Sequence, residues 1–142
     1  MNYQERQQLI NIGEVKFETY CTAMGYKITR LGFDEKHNNV AGFYNLNTLL
    51  RNIPDYVVRS DKGMFVVNVK GTANFKESEL KLLPEFMEWY STKKAPLVYA
   101  FCFAERDRPI LLYPEKIIEL YQKEKDKKWQ DGTVYRTLTL PK

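Results

Sequence analysis

Four polar residues sit inside apolar patterns that would ordinarily exclude them: Glu14, Asp55, Asn68 and Lys70. Ile10, Glu14, Phe17, Cys21 and Met24 step by four, three, four and three, the stripe a helix turns toward its core. An isolated buried carboxylate is very costly, so Glu14 should be neutralised, paired or bound to a metal. The plainer alternative is that it reaches solvent near the helix end, or pairs with Lys16 or a lysine of the sheet. Glu18, one turn on and just off the stripe, is the fallback candidate. Asp55 follows Pro54 in the run IPDYVVR. Proline and aspartate are poor strand formers, so the step marks an edge, a bulge or a site. In MFVVNVK, Met64, Val66, Asn68 and Lys70 share one face of a strand, and Phe65, Val67 and Val69 the other. Asn68 and Lys70 are thus neighbours, either on a solvated strand end or in a site.

The elements around these residues decide whether they can meet. Ser60-Asp61-Lys62-Gly63 joins the two β-rich runs, with Gly63 able to take the left-handed position of a hairpin loop. Asp55 then lies near the start of one strand, and Asn68 and Lys70 near the end of its antiparallel partner, so all three meet at one end of the hairpin. Before it, the periodicity predicts a helix over residues 3–24 closed by Gly25, then a strand over 26–31. Residues 32–52 read as a long loop with one helical turn near 47–51. After the hairpin, Pro84 fits the first position of a helix reaching Tyr90, with Met87 and Tyr90 inward. A strand buried on both faces follows over 96–104, then a strand over 109–113. A helix over 114–125 buries Ile117, Leu120 and Tyr121, and a turn at Asp131-Gly132 leads to a last strand over 133–140. The order predicts an α/β fold, a mixed sheet flanked by helices, in a single domain over 1–142.

Composition narrows the chemistry. The chain has 142 residues with a formal net charge of +4, which permits a polyanionic partner without demanding one. No apolar run approaches the ~20 residues of a membrane span, so no membrane association is expected. The polar start MNYQERQQ and the two cysteines, Cys21 and Cys102 in apolar stretches, point to a reduced, cytoplasmic protein. Two distant cysteines and one histidine, His37, argue against zinc and against histidine-based catalysis.

Pro54-Asp55, Asn68-Val69-Lys70 and Glu14, with the stretch GEVKFETYCTAMGYKITRLG, resemble the PD-(D/E)XK nuclease superfamily, which includes type II restriction enzymes and archaeal Holliday-junction resolvases. The resemblance covers roughly residues 10–104. It implies a restriction-endonuclease-like αβββαβ core, to which the strand–helix–strand read at the C-terminus is extra. It also implies a divalent-metal-dependent DNA endonuclease. Glu14, Asp55 and Asn68 would be ligands of Mg²⁺ (or Mn²⁺), with the Val69 carbonyl facing the metal and Lys70 orienting or activating the attacking water. A hard cation held by oxygen ligands stabilises the extra charge of phosphodiester hydrolysis and lowers the pKa of bound water. Asn68 departs from the family, which usually has an acid there; its amide oxygen can coordinate, but one negative charge is missing. Some members carry this acid on the following helix, which makes Glu77, Glu79 and Glu85 substitutes. The expected partner is DNA, and a homodimer is allowed. Lys76 and Lys81 are the foremost phosphate contacts, ahead of Lys16, Lys93 and Lys94. The alternative is a nuclease-fold protein, weakened or inactive through Asn68, that binds nucleic acid or a protein partner. In an unrelated α/β domain, Glu14 would lie far from Asp55.

Overall fold

The computed structural model describes residues 3–31, 54–89 and 96–141. The expected loop over 32–52, His37, Tyr90, Lys93 and Lys94 lie outside the described residues, as does the side chain of Ile10.

Helix α1 (Tyr3–Ala23) buries Phe17 and Cys21 beneath it, while Met24 is 50% exposed beyond its last turn. Gly25 ends the helix with φ +75°, a backbone conformation that costs a residue without Cβ little. The Tyr26 N–H then reaches the Cys21 carbonyl (2.9 Å) and the Gly25 N–H that of Thr22 (3.1 Å), which satisfies carbonyls the helix leaves open. Tyr26 packs edge-on against Tyr20, and the chain turns back as strand β1 (Lys27–Arg30).

Strands β2 (Tyr56–Ser60) and β3 (Gly63–Lys70) form the hairpin. Ser60 pairs with Gly63, so Asp61 and Lys62 make the loop, and Gly63 takes the expected positive φ, +132°. β4 (Asn74–Lys76) leads directly into α2 (Glu77–Trp89). The chain continues through β5 (Leu97–Phe101), β6 (Ile110–Leu112), α3 (Pro114–Gln122), β7 (Lys127–Lys128) and β8 (Val134–Thr137). The main sheet has five strands in the order β1-β2-β3-β5-β6. β3 and β5 are parallel and the other neighbours antiparallel, so the expected mixed α/β sheet flanked by helices is what the chain forms.

Alternation along β2, β3 and β5 builds a core on each face of the sheet. Tyr56, Val58, Val67, Val69, Ala100 and Cys102 meet Phe17 and Cys21 of α1. Val66, Leu97, Tyr99 and Phe101 meet Leu83 and Phe86 of α2 and Ile117 and Tyr121 of α3. Burying each such side chain is worth about 1.5–3 kcal/mol.

Two expectations need correction. α2 begins at Glu77 and not at Pro84, which lies exposed inside it. Leu83 and Phe86 are buried and Leu80 packs against them, and this continuous apolar stripe outweighs the ~3 kcal/mol an interior proline costs. The last strand does not join the main sheet. It forms the centre of a second, three-stranded sheet ordered β4-β8-β7, whose short outer strands the sequence pattern did not signal.

Candidate functional site

Asp55 lies one residue before β2, where Pro54 interrupts the run of backbone donors. Its own N–H still reaches the Val67 carbonyl (2.9 Å), and its carbonyl accepts from Leu31 (2.7 Å). Its side chain replaces the next ladder bond: Oδ2 accepts the Val69 N–H at 2.8 Å. The carboxylate is thereby fixed at the end of β3, beside Lys70. Burial pushes its pKa up to about 6; the Val69 hydrogen bond pulls it down, the Glu14 charge pushes it up, and Lys70 and Arg30 pull it down. Charges from α1, β1 and β3 therefore all bear on this one group.

Lys70, on the α2 side of the sheet, places its ammonium 2.8 and 2.7 Å from the two carboxylate oxygens of Glu79 and 5.0 Å from the Phe75 ring centroid. Glu79 is in the first turn of α2, which starts directly after β4, so the helix delivers this acid to the end of β3. Of the three substitutes for the missing acid, Glu79 is the one that meets Lys70. Glu77 instead pairs with Lys81 (3.0 Å) on the surface of α2, and Glu85 is exposed. Asn68 stands next to Tyr99 in the β3–β5 register, and its side chain hydrogen bonds to the Tyr99 phenol.

Across the sheet, Glu14 forms a two-pronged pair with Arg30, at 3.0 and 3.4 Å. Its partner is thus the arginine at the end of β1, and Lys16 bonds instead to the Arg106 carbonyl (2.9 Å). The geometry of the turn at Gly25 held the signal for this pair. Glu14 is eleven residues back along a helix rising 1.5 Å each, ~16 Å, and Arg30 is five residues forward along a strand rising 3.3 Å each, also ~16 Å. Glu18 accepts from the buried Tyr56 hydroxyl (2.9 Å), which also receives Arg30 (3.2 Å). Burial and the Glu18 hydrogen bond push the Tyr56 phenol well above its ordinary pKa.

Gly13 explains how α1 comes so near. A Cβ there would meet the Gly71 Cα at 3.1 Å and the Cys102 carbonyl at 3.3 Å. Only the bare glycine lets the helix rest on the backbone just past β3 and β5, and Glu14 is the next residue.

The structure therefore gathers Asp55, Lys70 and Glu79 at one end of β2 and β3, with Glu14 close enough for its charge to act on Asp55. Among the described residues no three acidic, cysteine or histidine side chains come together as a preformed metal cage. Lys76 lies on the second sheet, with its ammonium 5.9 Å from the Trp129 ring centroid. No described helix is long and apolar enough to cross a membrane. Comparison with protein-family models, with curated proteins and with solved structures finds no match to this chain.

Proposed function

We propose that this chain is a divalent-metal-dependent DNA endonuclease of the PD-(D/E)XK type. The observation that carries the reading is the meeting of Asp55, Lys70 and Glu79 at the exit of β3, with Glu14 acting from the opposite side. The αβββαβ succession of α1, β1, β2, β3, α2 and β5 agrees with the core the resemblance implies, with β4 as a short insertion.

The donor set fits a hard cation in kind. Asp55, Glu79 and the Asn68 amide offer oxygen, and Mg²⁺ characteristically takes one or two carboxylates together with water and substrate phosphate. Burial is the main cause that raises the pKa of Asp55, with the Glu14 charge adding to it, and a bound cation would favour its ionised form. Asp55 and Glu79 would hold the ion, with Glu14 adding charge behind Asp55; Val69 contributes its N–H to Asp55 and offers its carbonyl. The ion supplies charge stabilisation for the phosphoryl oxygens and acidifies a bound water. Asp55 keeps its orientation through the Val69 N–H whatever its other oxygen does. Lys70 presents an ammonium toward the same space, where it orients the attacking water and offsets developing negative charge. Glu79 holds Lys70 in position before the ion arrives.

One observation favours the non-cleaving alternative: the Asn68 amide is engaged by Tyr99 and supplies no charge. A single assay separates the two. Purified protein is incubated with supercoiled plasmid and with a branched duplex, in millimolar Mg²⁺ or Mn²⁺ and in EDTA. Metal-dependent cleavage that Asp55→Ala abolishes is expected. Cleavage in EDTA, or full activity in Asp55→Ala, rejects the endonuclease reading, and retention of DNA without cleavage selects the alternative.

A further inference from the structure

The second sheet has one face turned to the core and one turned away from it. Phe75 and Arg136, paired across β4 and β8, lie on the inner face, where Phe75 is fully buried and Arg136 covers the Tyr121 ring at 4.3 Å. Alternation puts Lys76, Tyr135 and Lys127, a row paired strand to strand, on the outer face. Trp129 stacks on Tyr135 there, with centroids 4.3 Å apart and planes at 20°. Asn74 and Thr137 continue the face; Thr137 donates to Asn74 (2.7 Å) and accepts from Lys127 (3.2 Å). Among the described residues this face is built of two lysines, a stacked aromatic pair, a hydroxyl and an amide, and the Glu124 carboxylate, which accepts from Thr139 (2.8 Å), lies at its far end.

The two lysines on it are not neutralised by ion pairs among the described residues. Neither Lys76 nor Lys127 forms an ion pair among the described residues, whereas Lys81, Lys116, Lys123 and Arg136 each do. Lys76 lies over an aromatic ring and Lys127 on a hydroxyl, contacts that orient an ammonium without discharging it. Lys125 and Lys128 add exposed positive charge along the rim, where Asp126 is taken up by Arg136 and Asp131 accepts the Thr133 N–H. The sheet is also joined to the candidate site: the Phe75 ring that carries this sheet inward lies under the Lys70 ammonium.

We propose that the outer face of the β4-β8-β7 sheet is a docking surface for the phosphate backbone of duplex DNA, holding the duplex beside the Asp55–Lys70 end of the main sheet. The inference rests on DNA being the partner, and it assigns the contact to Lys76 and Lys127, with Trp129 and Tyr135 as the rigid platform between them. Held ammonium groups on a flat aromatic base suit sequence-independent phosphate contacts, which position a duplex without reading it. Each such contact releases counterions and so sets the salt dependence of binding.

The experiment uses the full chain in EDTA, with a fluorescent 30-base-pair duplex and anisotropy readout from low to moderate salt. Lys76→Gln/Lys127→Gln is compared with wild type and with Lys27→Gln/Lys62→Gln, which removes the same charge at exposed positions on β1 and the hairpin loop. The outer-face pair is expected to weaken binding about ten-fold or more and to make the log–log salt slope shallower by about two. The control pair should lose far less, and equal melting curves verify that all variants fold. Wild-type binding that the outer-face pair leaves unchanged, or that the control pair weakens as much, overturns this surface while the nuclease reading stands. Binding that depends on Lys76 and Lys127 without any metal-dependent cleavage supports the surface and removes the nuclease reading. A wild-type protein that binds no duplex overturns this surface and leaves the nuclease reading to the cleavage assay, and preference for a labelled single strand overturns the duplex assignment.

Discussion

The two faces of the main sheet carry polar clusters at the same end, and among the described residues each has two carboxylates and one cation. On the α1 face, Glu14 and Arg30 meet in a fork and Glu18 takes the Tyr56 hydroxyl, so every charge has a partner. On the α2 face, Glu79 takes Lys70 with both oxygens, and Asp55 is left with a backbone N–H. Asp55 is also the carboxylate whose pKa is raised, to about 6, with burial as the main cause. Similar inventories thus give one cluster in which the charges are paired and one in which, among the described residues, the Asp55 carboxylate has no ion-pair partner. Closed networks hold structure together; a buried carboxylate without an ion pair invites a ligand.

Activity separates the faces most strongly. Asp55→Ala and Lys70→Ala should each lower Mg²⁺-dependent nicking of supercoiled DNA by at least ~10²-fold, the usual contribution of a positioned proton-handling group, while far-ultraviolet circular dichroism stays native. Glu14→Gln should cost less, because Glu14 acts on Asp55 from across the sheet. A larger loss in Glu14→Gln than in Asp55→Ala would reverse the assignment of the two clusters.

Stability should separate them in the opposite sense. Tyr56→Phe removes the donor to Glu18 inside the closed cluster and should cost about 1–3 kcal/mol in urea unfolding. Asp55→Asn should do the reverse at neutral pH. Because folding raises the pKa of Asp55, the fold favours its protonated form. That contribution is fully present below the unfolded value of about 4 and is lost as pH rises through about 6. Discounted for partial exposure, Asp55→Asn should stabilise by about 1–2 kcal/mol at pH 8 and change little at pH 4. Equal effects at both pH values would show that folding does not raise the pKa of Asp55.

Asn68→Asp sharpens the comparison further, since it adds negative charge to the cluster that holds Asp55. The variant should melt lower without metal and recover more than wild type in millimolar Mg²⁺ or Mn²⁺, by linkage of binding to folding. Identical metal-induced shifts would place Asn68 outside the site. The smallest effect belongs to Lys81→Ala, which breaks an exposed pair with Glu77 and should change stability by under ~0.5 kcal/mol.

Much of this arrangement follows from local rules that operate along the chain. The helical stripe of Phe17 and Cys21, the glycine that closes α1, and the two-residue loop of the hairpin depend on periods of 3.6 and 2 and on backbone sterics, which neighbouring residues carry. The hairpin register then brings Asp55 to the end of β3 where Val69 and Lys70 stand. Three outcomes needed the folded chain. Which glutamate of α2 meets Lys70 depended on where that helix starts, and packing of Leu80, Leu83 and Phe86 moved the start ahead of the proline that local rules favour. Gly13 matters because the backbone beyond β3 and β5 passes beneath it. The second sheet exists because β4 and β8, far apart in sequence, pair over Phe75, and two- and three-residue strands have too short a pattern to announce themselves. Periodicity is a property of neighbours along the chain; partner choice among long-range contacts is settled by how much apolar surface each packing removes from water.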